Sequence, residues 1–195
     1  MRSSVVLSVI VVGVTEMSVE FAALMSFQSL YGYVYGRVAL LVAAFMAGLV
    51  LGGRLGVLAV RRGMRLAAFI ALQAGIAAVP IGLWLAVSSI SGAGPTAMAA
   101  WSHAFPLVVV AAAVLAGAQF PLAAGLCMGP RDEPGDIGGW LHGADLAGAA
   151  VGATLTAVFL LPVLGLAGAM TSLSLLNAGA LVALLGAALL TRRSR

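Results

Sequence analysis

Residues 4–30 read SVVLSVIVVGVTEMSVEFAALMSFQSL, an apolar run interrupted near its centre by two carboxylates, Glu16 and Glu20. A bilayer-spanning helix needs about 20 predominantly apolar residues, and this run exceeds that length. An ionisable group at membrane depth costs roughly 2.5–3.5 kcal/mol on insertion scales, so such a residue normally faces protein or a wet cavity. At i and i+4 the two glutamates share one face of the helix. Crowded carboxylates in a low dielectric do not both ionise cheaply, so at least one is expected to hold a proton at neutral pH. Two roles follow from that state: proton transfer, or a neutral hydrogen bond to another helix.

The rest of the chain repeats the theme. It is 63% hydrophobic and 8% charged, against about a quarter charged in soluble domains. The mean hydropathy is +1.15. These values identify an all-α integral membrane protein. Six apolar runs are long enough to span, at about 4–30, 34–59, 66–90, 97–128, 139–162 and 168–190, in a single domain covering residues 1–195. The opening Met1-Arg2-Ser3-Ser4 followed by Val5 to Val14 imitates a signal peptide, yet the run continues without a small-residue cleavage site and is read as a retained first helix.

All ten basic residues are arginines, and nine fall at one set of run ends: Arg2, Arg54, Arg61, Arg62, Arg65, Arg131, Arg192, Arg193 and Arg195. Only Arg37 falls at the other. The positive-inside rule then places both termini in the cytoplasm, with the polar stretch from Arg131 to Asp136 also inside and the loops near 91–96 and 163–167 outside. The same distribution explains the pI of about 10.2 without invoking nucleic acid.

Small residues recur at helical spacing as Ala44, Gly48, Gly52 and Gly56 in the second run and as Ala144, Gly148 and Gly152 in the fifth. Such faces let helix backbones approach closely in lipid. Each groove lies on the middle helix of a consecutive three-helix half, which suggests a 3+3 inverted repeat like one half of a major facilitator transporter. Pro80, Pro106 and Pro121 fall inside spans and are expected to kink them.

Beyond the glutamates, Gln28, Gln119 and Asn177 are candidates for intramembrane hydrogen bonding or for proton or partner binding. Arg54 and Asp145 are an expected ion pair between the second and fifth helices. His142, three residues before Asp145, could form a pH-sensitive pair with it or lie at the interface. His103 beside Trp101 reads as an interfacial anchor, and Tyr31, Tyr33 and Tyr35 as an aromatic belt or as a stacking surface for a ligand. The lone Cys127 has no partner for a disulfide and no metal-ligand spacing, and there is no nucleotide-binding or hydrolase motif. No cofactor or metal is expected.

Five segments together resemble a known family. They are Thr15-Glu16-Met17 through Phe27-Gln28-Ser29-Leu30-Tyr31-Gly32-Tyr33-Val34-Tyr35; Phe45-Met46-Ala47-Gly48-Leu49-Val50-Leu51-Gly52; Gln119-Phe120-Pro121-Leu122-Ala123; Ala144-Asp145-Leu146-Ala147-Gly148; and Leu160-Leu161-Pro162-Val163-Leu164-Gly165. In this order they are similar to the membrane domain of bacterial spermidine synthase-like proteins. The resemblance implies a six-helix, facilitator-like module in a bacterial inner membrane and gives weight to Glu16, Glu20, Gln28, Gln119, Pro121, Asp145, Gly148 and Pro162. In that family a Rossmann aminopropyltransferase-like domain commonly follows; the sequence to Arg195 contains none, so no enzymatic activity is expected.

Two functions are therefore expected from the sequence. The first is a non-catalytic multi-pass subunit that anchors or regulates a partner, either a synthase-like protein or a membrane redox or biosynthetic complex. The second is a half-transporter that forms a homodimer and moves a proton-coupled or cationic, polyamine-like substrate.

Overall fold

In a computed structural model the described residues are 1–32 and 35–193, with the side chains of Pro95, His103, Arg192 and Arg193 outside the description. The readings of His103 and Tyr33, and those of Arg192, Arg193 and Arg195, accordingly fall outside the described side chains. Among the described residues the chain is helical, in the order α1 (Arg2–Tyr31), α2 (Tyr35–Arg61), α3 (Arg65–Ser91), α4 (Pro95–Cys127), α5 (Pro134–Leu155), a five-residue π-helical turn (Thr156–Leu160) and α6 (Leu161–Arg193).

Five helical stretches are long and apolar enough to cross a membrane, the last being the 58-residue run Pro134–Thr191. As a straight rod that run would extend about 87 Å, nearly three times the apolar thickness of a bilayer. It is broken at Gly165, whose φ of 65° lies in the left-handed region that glycine enters without steric cost. Beyond the break α6 packs along α3 and α1, whereas α5 packs on α1.

One detail differs from the expected boundaries. Pro134, Gly135 and Asp136, expected in the polar loop, form the first turn of α5: proline suits the first helical position, and Asp136 places negative charge at the positive end of the helix dipole. Pro80, Pro106 and Pro121 are contained within the assigned spans of α3 and α4. Among the described residues, Gly165 in α6 is the one with non-helical backbone angles inside a helix.

The principal pairs are α2 with α4, α1 with α5 and α3 with α6. Glycines set the first two. A methyl group at Gly48 would stand 2.6 Å from the Ala113 methyl, and one at Gly52 or Gly56 would overlap the backbone of Val114 or Ala118. On the other pair, Gly148 and Gly152 abut the backbone at Ile10 and Val14. Both grooves are filled by helix backbone, as close packing in lipid requires. They have different partners, however, and α2 and α5 do not touch.

Phe27, Phe105, Leu83, Ile90 and Met170 fill one end of the bundle. Phe69, Leu122, Leu141 and Leu184 fill the other. At the second end Arg2 Nε donates to Cys127 O at 2.7 Å and its guanidinium pairs with Asp132, while Arg65 Nη1 donates to Gly125 O at 3.1 Å. The start of α1, the start of α3 and the end of α4 thus share one arginine-rich end. At the opposite end the Tyr31 hydroxyl donates to Met98 O at 2.9 Å.

Candidate functional site: a polar cleft beside a buried amide chain

Four helices contribute to one buried line of polar side chains. Thr15 of α1 donates to Val11 O at 2.8 Å, so its hydroxyl oxygen is free to accept. It accepts from Asn177 Nδ2 of α6 at 2.6 Å, and the same amide nitrogen donates to Leu173 O at 2.9 Å. Asn177 Oδ1 accepts from Gln73 Nε2 of α3 at 3.1 Å, and Gln73 Oε1 accepts from Gln119 Nε2 of α4 at 2.6 Å. All four residues are buried, Gln73 and Asn177 completely.

The direction of this line is fixed by chemistry. Leu173 O can only accept, so Asn177 must present its nitrogen there and its oxygen to Gln73. Gln73 must then present nitrogen to Asn177 and oxygen to Gln119. The line therefore ends in the Gln119 carbonyl oxygen, which is buried and has no hydrogen-bond partner. A buried acceptor left unmatched costs about 1–3 kcal/mol, so this atom calls for an explanation.

Gln119 also lines a cleft of about 140 Å³ with Glu16, Asp145 and His142. Glu16 comes from α1, Gln119 from α4 and the other two from α5. Val9, Val12, Leu49, Ala116 and Phe120 supply the apolar wall. Asp145 is partly buried, with its backbone and carboxylate against Gly13 of α1, where any side chain would collide with them. His142 is exposed and meets the Phe120 ring edge-on, with centroids 6.0 Å apart. Glu20, one turn from Glu16, lines a separate apolar cavity of about 20 Å³ with Phe45 and Leu83.

The expected ion pair of Arg54 with Asp145 does not form. The single salt bridge among the described residues joins Arg2 to Asp132. Arg54 is exposed on α2, and α2 packs on α4 whereas α5 packs on α1, so the two helices never meet. Asp145 instead shares the cleft with Glu16 and His142. Gln28 stands three helical turns beyond Glu16, near the end of α1 and away from the cleft.

Three participants were not singled out from the sequence: Gln73, Thr15 and Gly13. Gln73 is the lone polar side chain between Arg65 and Ser88, which is the signal that marks it. Gly13 carries no signal of its own, since its importance lies in what α5 places against it.

Outside the spans, Asp132 accepts from Gly129 N–H at 2.7 Å. That bond first, and then the Arg2 guanidinium, hold its carboxyl below the usual carboxylate range. Asp132 thereby fastens the α4–α5 connection to the start of the chain. Among the described residues no group of three His, Cys, Asp or Glu side chains is disposed to hold a metal ion.

No protein family, characterised protein or solved structure matches this chain in comparisons of sequence and fold.

Proposed function

We propose that the chain is a non-catalytic, six-span membrane subunit that anchors or regulates a partner protein, inserted with both termini in the cytoplasm. The observation that carries this reading is the buried amide line Thr15, Asn177, Gln73, Gln119, which runs from α1 to α6, back to α3 and on to α4. It crosses between the first three and the last three helices at every link. A rocking motion of one half against the other would have to open three buried hydrogen bonds, each costly to leave unmade in an apolar interior. A fixed scaffold keeps them.

Six spans are supported by the break at Gly165, which divides the last run in two. A 3+3 repeat is supported by the register of the glycine contacts. Gly48 meets Val110 and Gly52 meets Val114; shifted by 100 in number, Gly148 meets Ile10 and Gly152 meets Val14. Gly56 against Ala118 likewise corresponds to Thr156, which donates to Ser18 Oγ at 2.7 Å. Because each half holds an odd number of spans, the halves are inverted in the membrane. The resemblance to the membrane module of spermidine synthase-like proteins agrees with this arrangement and suggests a synthase-like partner.

A second reading, a half-transporter completed by dimerisation, draws on the polar cleft with its two carboxylates. Purification in a mild detergent, followed by reconstitution into proteoliposomes, separates the two. The subunit reading expects a defined stoichiometric complex with another chain and no flux from the isolated protein. A homodimer that alone carries a proton or cation across the vesicle would replace it with the transport reading.

A further inference from the structure

The outer face of α2 carries a charge amid apolar side chains. Arg54 stands seven residues, about 10 Å, before the end of α2 at Arg61. Its neighbours on the same face, three and four residues away, are Val50, Leu51, Val57 and Leu58, all exposed. Among the described residues no carboxylate pairs with it. α2 is also the least covered of the five long apolar stretches, with 22% of its apolar window buried against 56% for α1, because it packs on α4 and barely meets α1 and α3. Arginines within spans are costly against acyl chains and are almost always paired or turned to a cavity. Reaching the nearer headgroup layer is opposed by direction. Side chains leave an α-helix toward its N-terminus, and the nearer end is the C-terminal one at Arg61, so the Arg54 stem sets out toward the bilayer centre.

We propose, resting on the subunit reading above, that this face of α2 docks a transmembrane helix of a different protein, one that carries an Asp or Glu at the depth of Arg54. Charge complementarity selects the occupant. A carboxylate accepts from the planar guanidinium with two oxygens at once, and in a low dielectric that pair is strong. Both charges have left water before they meet, so association adds little desolvation. Val50, Leu51, Val57 and Leu58 supply the apolar surface around the pair. A second copy of this chain is the wrong occupant. Its acids within spans, Glu16, Glu20 and Asp145, are partly buried, lining cavities between its own helices. The exposed carboxylates among the described residues, Glu133 and Asp136, lie outside the span, at the start of α5.

The test is photocrosslinking of the full chain in its native membrane, with benzoylphenylalanine in place of Val50 or Leu58, which flank Arg54, and in place of the exposed Val182 of α6 as a control. Crosslinked peptides are sequenced by mass spectrometry. Val50 and Leu58 are expected to reach one apolar segment of another protein with an Asp or Glu inside it, and Val182 is not. Arg54→Leu should lower that crosslink by about tenfold or more, the loss expected when one member of a desolvated charge pair is removed. Arg54→Lys should keep much of it. Arg54→Glu should abolish it, and changing the partner's carboxylate to Arg should restore it. Crosslinks from both α2 positions to lipid alone, to a second copy of this chain, or to a segment without an acid each overturn the proposal. So does a crosslink that Arg54→Leu leaves unchanged while the variant accumulates normally. If another chain copurifies in fixed ratio but is not reached from Val50 or Leu58, this docking face is wrong and the subunit reading stands. If no other chain copurifies or is reached from any position, both fall.

Discussion

Gln119 Nε2 donates to Gln73 Oε1 across 2.6 Å, and this bond between α4 and α3 leaves the opposite atom of the same amide, Gln119 Oε1, buried without a partner. One short contact thus joins the buried line of polar side chains to a residue that lines the polar cleft. The amide line holds four helices, and its last residue, Gln119, is among those that line the cleft.

Breaking the line in its middle should be costly. Gln73→Leu leaves Asn177 Oδ1 and Gln119 Nε2 without partners, so a loss of about 2–5 kcal/mol is expected, read as a fall in unfolding free energy in mixed micelles. Gln73→Glu, whose buried carboxyl holds its proton, keeps an acceptor for Gln119 and an O–H donor for Asn177, and should recover part of that loss. Unchanged stability in Gln73→Leu would show that the line contributes nothing to the fold.

The glycine contacts predict a sharp contrast between positions. Leucine at Gly52 or Gly152 must displace the backbone of Val114 or Val14, whereas a side chain at Gly186 meets nothing within 4 Å. Forced overpacking costs typically 1–3 kcal/mol or more, and here backbone cannot yield, so Gly52→Leu and Gly152→Leu should abolish accumulation of folded protein while Gly186→Leu leaves it near normal. Fluorescence size-exclusion of tagged variants gives the comparison. Similar profiles for all three would contradict the packing.

Arg54 and Asp145 belong to helices that do not touch. A double-mutant cycle with Arg54→Ala and Asp145→Ala should therefore be additive to within about 0.5 kcal/mol. A coupling of 1 kcal/mol or more would mean that α2 and α5 approach each other in the membrane.

The positive-inside distribution predicts that reporter fusions after Arg65, Pro95, Arg131 and Gly165 read inside, outside, inside and outside. The structure adds a reason to expect agreement between the first and third, since Arg65 donates to the Gly125 carbonyl near the end of α4. Opposite compartments for those two fusions would refute the arrangement.

Asp132 supplies a pH dependence. Its folded-state pKa lies below the ordinary value of 3.8, so the contribution it makes is complete above about pH 5 and disappears as pH falls through that lower value. Asp132→Asn should lower Tm slightly at neutral pH, and the gap to the native protein should close on acidification below pH 4. A gap that persisted undiminished at pH 2 would assign the effect to something other than the charge.

Membrane character, the approximate helices, the small-residue grooves and the grouping of arginines were all determined by the sequence itself, because they depend on composition and on spacing within one helix. Glu16 beside Asp145, and Gln73 between Asn177 and Gln119, were decided only by the tertiary structure. In a soluble bundle a polar stripe tells which face turns outward; here α3 and α4 are almost wholly apolar, so periodicity does not reveal their inward face, and on α1 only the two glutamates mark it. What selects partners in lipid is the fit of glycine against backbone, and that fit involves two helices at once. The Gly48 groove gave no indication that α4 rather than α5 would fill it, and so Arg54 was matched to Asp145 by depth alone. Once Gly148 and Gly152 close on Ile10 and Val14, α5 is held against α1 and Asp145 is carried to the cleft of Glu16 rather than to Arg54.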